Sequence, residues 1–229
     1  MFFKITVRGV ACAAVVALAA ASATPAKATP TPVGTTDTFT LTLDACTGGC
    51  GTAPFGTIVL TQFSSTVVQV TETIDPNKFV LTGAGDAIAF NITATKTATI
   101  SNITTGFTTT TSPKGYHNLA FGYGITCTGC GNGGSSPLTG PLSFNVSVGA
   151  GLDITDFISV SDNGTAVYFS ADIISKATSN TGNVGATGPG TLSSGNGGGG
   201  GSVPEPATIA LLATALVGLA AFRVRRPGA

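Results

Sequence analysis

Hydrophobic and polar residues alternate with a period of two in several stretches of this chain. Phe39, Leu41 and Leu43 alternate with Thr38, Thr40 and Thr42; Ile88, Phe90 and Ile92 repeat the pattern, and Leu142, Phe144, Val146 and Val148 show it most cleanly. Successive side chains of an extended strand point to opposite faces, so each run predicts a strand with one buried and one wet face. Less regular apolar runs at 57–63, 66–74, 79–82, 97–104, 116–126, 154–160 and 166–174 also read as strands. Turn residues separate them, as at Asp75-Pro76-Asn77 and Asp162-Asn163-Gly164. Short strands, frequent turns and no amphipathic helix predict an all-β fold over residues 36–178: an antiparallel β-sandwich, jelly-roll-like or immunoglobulin-like.

The alternation fails outside that body. Lys4 and Arg8 precede an apolar run at 10–21, followed by small residues at Ala21-Ser22-Ala23 and Ala26-Lys27-Ala28. Residues 1–28 therefore read as a secretory signal peptide, cleaved after 23 or 28. Residues 29–35, with two prolines, read as a leader. Residues 179–202 are mostly Gly, Ser, Asn and Thr, with consecutive glycines at 197–201 before Ser202. So little apolar surface predicts a flexible linker.

Residues 203–229 change character again. Val203-Pro204-Glu205-Pro206 is followed by a charge-free, apolar run at 207–222 and then by Arg223, Arg225 and Arg226. The prolines forbid helix across the motif and the run behind them favours it, so a transmembrane helix is expected at 207–222. At ~1.5 Å per residue it reaches only about 24 Å, short of the ~30 Å hydrocarbon core, which suits a temporary anchor. The three arginines would stay on the cytoplasmic side.

This order of proline motif, helix and basic cluster resembles the PEP-CTERM sorting signal of Gram-negative bacteria that make exopolysaccharide. The resemblance implies export through the Sec machinery and recognition of Pro204, Glu205 and Pro206 by an exosortase, a membrane transpeptidase-like cysteine enzyme. It implies a transient inner-membrane anchor stopped by Arg223, Arg225 and Arg226, cleavage near the motif, and a mature form at the cell surface or in the extracellular matrix. Exopolysaccharide is a candidate partner, and O-linked sugar on the Ser/Thr-rich body is a further implication.

Charge changes the picture once the two ends are set aside. Between residues 29 and 202 the bases are Lys78, Lys96, Lys114 and Lys176, against eight aspartates and Glu72, a net charge of minus five. An acidic body without arginine is no nucleic-acid binder, since that affinity comes mostly from phosphate neutralisation.

Cys12 falls in the signal peptide and leaves Cys46, Cys50, Cys127 and Cys130. An even count in an exported chain points to disulfides. The similar Gly-rich contexts, Cys46-Thr47-Gly48-Gly49-Cys50 and Cys127-Thr128-Gly129-Cys130, allow two local bridges, two bridges joining the loops, a four-cysteine zinc site, or a redox pair.

Catalytic constellations are thin, and the expectation is a protein without enzymatic activity or cofactor. His117 is the sole histidine and no Gly-x-Ser-x-Gly elbow presents a serine to it. Asp153, Asp156, Asp162 and Asp172 supply carboxylates, but no spacing singles out the opposed pair of a glycosidase. Three function classes follow: a non-catalytic surface or matrix protein, a sugar-binding module stacking sugars on Tyr116, Tyr123, Tyr168 or an exposed Phe, and a secreted hydrolase. The last requires converging carboxyls or His117 paired with an acid.

Overall fold

Threonine alternates with large apolar residues in the first three strands, and the apolar half of each alternation is buried. β1 (Thr36–Asp44) buries Phe39 and Leu41, β2 (Gly56–Ser64) buries Ile58 and Leu60, and β3 (Val67–Ile74) buries Val68, Val70 and Ile74. These coordinates are a computed structural model that describes residues 30–193, apart from 77, 78, 82–84, 94, 131–137, 139, 189 and 190. Along it follow β4 (Phe79–Leu81), β5 (Ile88–Ile92), β6 (Thr99–Ser101), β7 (Phe107–Thr110), β8 (Tyr123–Cys127) and β9 (Leu142–Ser147). β10 (Phe157–Ile158), β11 (Val160–Asp162), β12 (Thr165–Ser175), β13 (Thr181–Thr187) and β14 (Thr191–Ser193) complete the set.

The fold is all-β, and the described pairings are antiparallel. One hydrogen-bonded path runs β6-β9-β3-β2-β1-β13-β12-β5-β8-β7. The sheet curls until its two ends approach, nearly as a barrel. Phe90 of β5 stacks on Phe144 of β9 with centroids 5.7 Å apart, although five strands separate them along the path. Near the two edges, the Ala98 N–H just before β6 donates to the Tyr123 hydroxyl of β8 at 3.0 Å. Phe90 also meets Phe157 and Phe169 at 5.6 and 6.2 Å, so one aromatic cluster fills the interior.

The outer surfaces of the two halves differ. On β1, β2, β3, β9 and β6 the outward residues fall into cross-strand ranks. Thr40 lies beside Thr57 and Thr73; Thr38 beside Val59, Thr71 and Ser143; and Thr36 beside Thr61, Gln69, Asn145 and Ser101. None of these residues is charged. On the other half, β12 is buried on both faces, because residues 113–121 fold over it. Tyr116 and Phe121 pack there against Ala89 and Val167 as a second apolar cluster.

Two boundaries expected from the sequence are corrected. Residues 31–35 are tied to the body rather than leading into it: Thr31 N–H donates to Asp153 Oδ2 at 2.9 Å and Gly34 N–H to the Gln62 carbonyl at 2.8 Å. The expected linker at 179–202 contains a central strand, since β13 lies between β1 and β12 and buries Val184 and Ala186. Small residues made this stretch look like a linker, and small residues are what the position needs. A Cβ on Gly182 would lie 2.7 Å from the Cys46 Cα, closer than the two backbones allow. β14 then pairs with β1 at Thr36–Thr38. The part of the expected linker beyond residue 193 lies outside the described residues, as does the signal peptide.

Shorter runs shift as well. The run at 116–126 begins as a 3₁₀ turn at Tyr116–Asn118 and becomes strand only at Tyr123. The run at 154–160 opens with a 3₁₀ turn at Ile154–Asp156, capped by Asp153.

Candidate functional site

Pro204, Glu205, Pro206, the expected helix at 207–222, and Arg223, Arg225 and Arg226 lie outside the described residues. Among the described residues no helix is long and apolar enough to cross a membrane.

The cysteines pair locally. Cys46 is bonded to Cys50 and Cys127 to Cys130, with Cα separations of 5.5 and 5.6 Å. Each bond consumes both thiols of its own loop, so the four cysteines do not converge as a thiolate site. The first loop is held from several sides. Asp44 accepts the N–H groups of Cys46 and Cys50 on its two carboxylate oxygens, at 2.9 and 2.8 Å, and the Asn180 amide donates to the Gly49 carbonyl at 2.7 Å. Asp44 lies beside the two sulfurs, but with these bonded to each other the group offers one carboxylate and no thiolate to a metal.

His117 does acquire an acidic partner. Its Nδ1 lies 2.6 Å from Asp162 Oδ2, and its ring stacks on Tyr116 at 4.2 Å. The supporting turn is anchored by Tyr116 N–H donating to the buried Ser170 hydroxyl at 2.7 Å, which in turn donates to the Val184 carbonyl at 3.2 Å. His117 adopts φ 49° and Asn118 φ 61°, left-handed conformations that turn the chain back over β12. Burial, then the charges of Asp162 and Asp44, push the Tyr116 hydroxyl pKa upward. Among the described residues no serine, threonine or second acid is hydrogen-bonded to this pair. Forty-five residues separate His117 from Asp162, so no local motif announced the contact.

The other carboxylates have structural duties. Asp153 accepts the N–H groups of Thr155 and Thr31, at 3.0 and 2.9 Å, and Asp156 accepts from Asp153 N–H at 2.7 Å and from the Lys96 ammonium. Burial raises the Asp153 pKa, but the hydrogen bonds from Thr155 and Thr31 outweigh it and hold the group below its usual range. Asp172 accepts from Gly85 N–H at 2.9 Å. As well as Asp37, whose Oδ1 is buried and unpartnered among the described residues, Glu72 is an exception. It is fully buried on β3, beside Ile58 and Leu142 in register, and neither carboxylate oxygen has a hydrogen-bond partner among the described residues. Burial pushes its pKa well above 4.5, which favours the protonated, neutral form.

The tyrosines singled out as sugar platforms are occupied. Tyr116 is buried under His117, Tyr123 stacks on Phe90 at 5.6 Å, and Tyr168 lies 5.3 Å from Phe39. Among the described residues Phe63 alone of the large aromatics is open, at 61% exposure. It is the extra residue of a β-bulge, since Gln62 pairs with Val68 and Ser64 with Val67. At the opposite end of β2 a groove of about 420 Å³ is lined by the threonines Thr40, Thr57 and Thr73, by Pro54 and Pro76, and by Asp75. Neither feature was visible in the sequence, because a bulge and a rim between loops are set by pairing between distant strands.

A family model described as the PEP-CTERM protein-sorting motif matches residues 202–226. No curated protein and no solved structure matches the chain.

Proposed function

Because residues 202–226 carry the PEP-CTERM protein-sorting motif, the mark of an exported exosortase substrate, we propose that this chain is a non-catalytic protein of the cell surface or extracellular matrix. The motif match is the observation that carries the reading. Residues 1–28 direct export, Pro204, Glu205 and Pro206 are recognised by the exosortase, and the apolar run at 207–222 with Arg223, Arg225 and Arg226 holds the precursor in the inner membrane. The body is a disulfide-stapled β-sandwich whose two layers are the halves of the curled sheet. Its contribution to the matrix is binding and bulk.

Two features support the absence of chemistry. Asp153, Asp156 and Asp172 are engaged in capping, bridging and loop contacts rather than standing as free carboxyls. Among the described residues the His117–Asp162 pair has an oriented imidazole but no hydrogen-bonded nucleophile. Replacing Pro204, Glu205 and Pro206 by alanine should leave an unprocessed, membrane-held precursor in the native host, detected by immunoblot and intact mass. Processing that continues unchanged in this mutant would remove the proposal.

A further inference from the structure

We infer that the outer face of β2 and its neighbours is a binding surface for a neutral, extended polysaccharide, running from the Pro54–Pro76 groove to Phe63. The inference concerns the body alone, and rests on the proposal above only in that the face is displayed outside the cell.

The strip is continuous. Thr57, Val59, Thr61 and Phe63 point outward in succession along β2, so at ~3.4 Å per residue the row spans about 20 Å. At one end Pro54 and Pro76 give the groove apolar walls beside the Thr57 and Thr73 hydroxyls. At the other end Phe63, the extra residue of the bulge, is mostly exposed. Between them the hydroxyls of Thr57, Thr61 and Thr73 make no hydrogen bond within the described residues, so they are open to a ligand.

The chemistry of the strip selects its occupant. A sugar ring has an apolar face of C–H groups and an edge of hydroxyls, and the strip offers apolar surfaces at Phe63 and the prolines with hydroxyls between them. Its cross-strand ranks are uncharged and the groove adds a single carboxylate, Asp75, so the surface offers no cation to a polyanion and only one acid to a basic partner. β2 is paired on both sides, with β1 and β3, so it presents no free backbone edge to an added peptide strand. The row of hydroxyls likewise offers no apolar groove to a partner helix. A neutral polyhydroxylated chain lying along β2 satisfies both the hydroxyl row and the apolar ends.

The test is affinity electrophoresis of the full chain in detergent micelles, through native gels holding hydroxyethyl cellulose, xylan, galactomannan or dextran, with alginate in a parallel gel. At least one neutral polymer should retard the protein, while alginate does not. Phe63→Ala should weaken that retardation roughly tenfold or more, as loss of an aromatic anchor does. Thr57→Val with Thr61→Val should weaken it by a smaller factor. Ile158→Ala, exposed elsewhere on the body, should leave it unchanged. Circular dichroism of each variant separates lost binding from lost folding. No retardation by any neutral polymer, retardation by alginate alone, or full retardation of folded Phe63→Ala would each overturn the inference. Processing of Phe63→Ala in the host should be normal, so a failure here is distinct from a failure of the sorting proposal.

Discussion

The half of the sheet formed by β1, β2, β3, β9 and β6 meets water on its outer face, whereas the half around β12, β13 and β5 is covered on both faces. In the first half, every second residue is free to be threonine. In the second, Ala89 and Val167 pack outward against Tyr116 and Phe121, while Phe90 and Phe169 pack inward against each other. The covered half spends polar side chains on fastening its cover, as Ser170 does by accepting from Tyr116 N–H and donating to Val184. Solvent on one face thus favours a legible alternation, and its loss blurs it in β12 and β13, although β5 keeps Ile88, Phe90 and Ile92 in alternation.

The largest expected effect lies where the halves meet. Phe90→Ala removes the ring that stacks on Phe144, Phe157 and Phe169, and should destabilise the full chain by about 3–5 kcal/mol in chemical denaturation. A smaller loss would mean that the halves are less dependent on this contact than the ring geometry indicates.

The two disulfide loops sharpen the contrast between anchored and peripheral positions. Their closed loops are similarly short, so the chain-entropy contribution is about 2 kcal/mol for each. Cys50, however, is buried, and its loop is fastened by Asp44 and Asn180. Removing Cys46 and Cys50 together should therefore lower the melting temperature more than removing Cys127 and Cys130. Equal shifts would place the whole effect in the unfolded chain.

Glu72 breaks the rule of the wet half from within. Its neighbours on the inner face of β3 are Val70 and Ile74, and its carboxyl is buried without a hydrogen-bond partner among the described residues. Glu72→Met should raise stability, on the order of 1 kcal/mol, by removing an uncompensated polar group. The pH dependence follows from the direction of the shift. Because the folded pKa is raised above 4.5, the folded state holds a proton that the unfolded chain releases, so stability falls as pH rises from about 4.5 toward the folded value. Asp153, held below 3.8, acts oppositely: its contribution is present above that value and is lost as pH falls further. The melting temperature should peak in mildly acidic solution, and Glu72→Met should flatten the decline on the alkaline side.

The smallest effect belongs to the hydroxyl ranks. Thr57→Val should change stability by no more than about 0.5 kcal/mol, since its hydroxyl has no partner among the described residues. A larger loss would show that the outer face is structural.

The same division governs how much could be read in advance. β1, β5 and β9 followed from their alternation, and β2 and β3 from less regular apolar runs. β13 did not, because Thr181-Gly182-Asn183-Val184-Gly185-Ala186-Thr187 has one large apolar residue, and its burial depends on partners far away in sequence. β7, with three threonines after Phe107, likewise has no alternation to read. The two Gly-rich cysteine turns were visible, but their pairing required coordinates. The Tyr116 turn looked like strand because its apolar residues pack on a cover rather than in a ladder, and His117 meets Asp162 only through that cover.

The strand pairing of residues 191–193 also sets a length. From Ser193, held against β1, nine peptide steps lead to residue 202, and a fully stretched chain covers roughly 30 Å in that number of steps. That is about the diameter of a small domain. An exosortase that recognises Glu205, as proposed, three residues further on, would therefore work within roughly 40 Å of the folded sheet, so the bulk of the sheet would limit the angle from which it can approach.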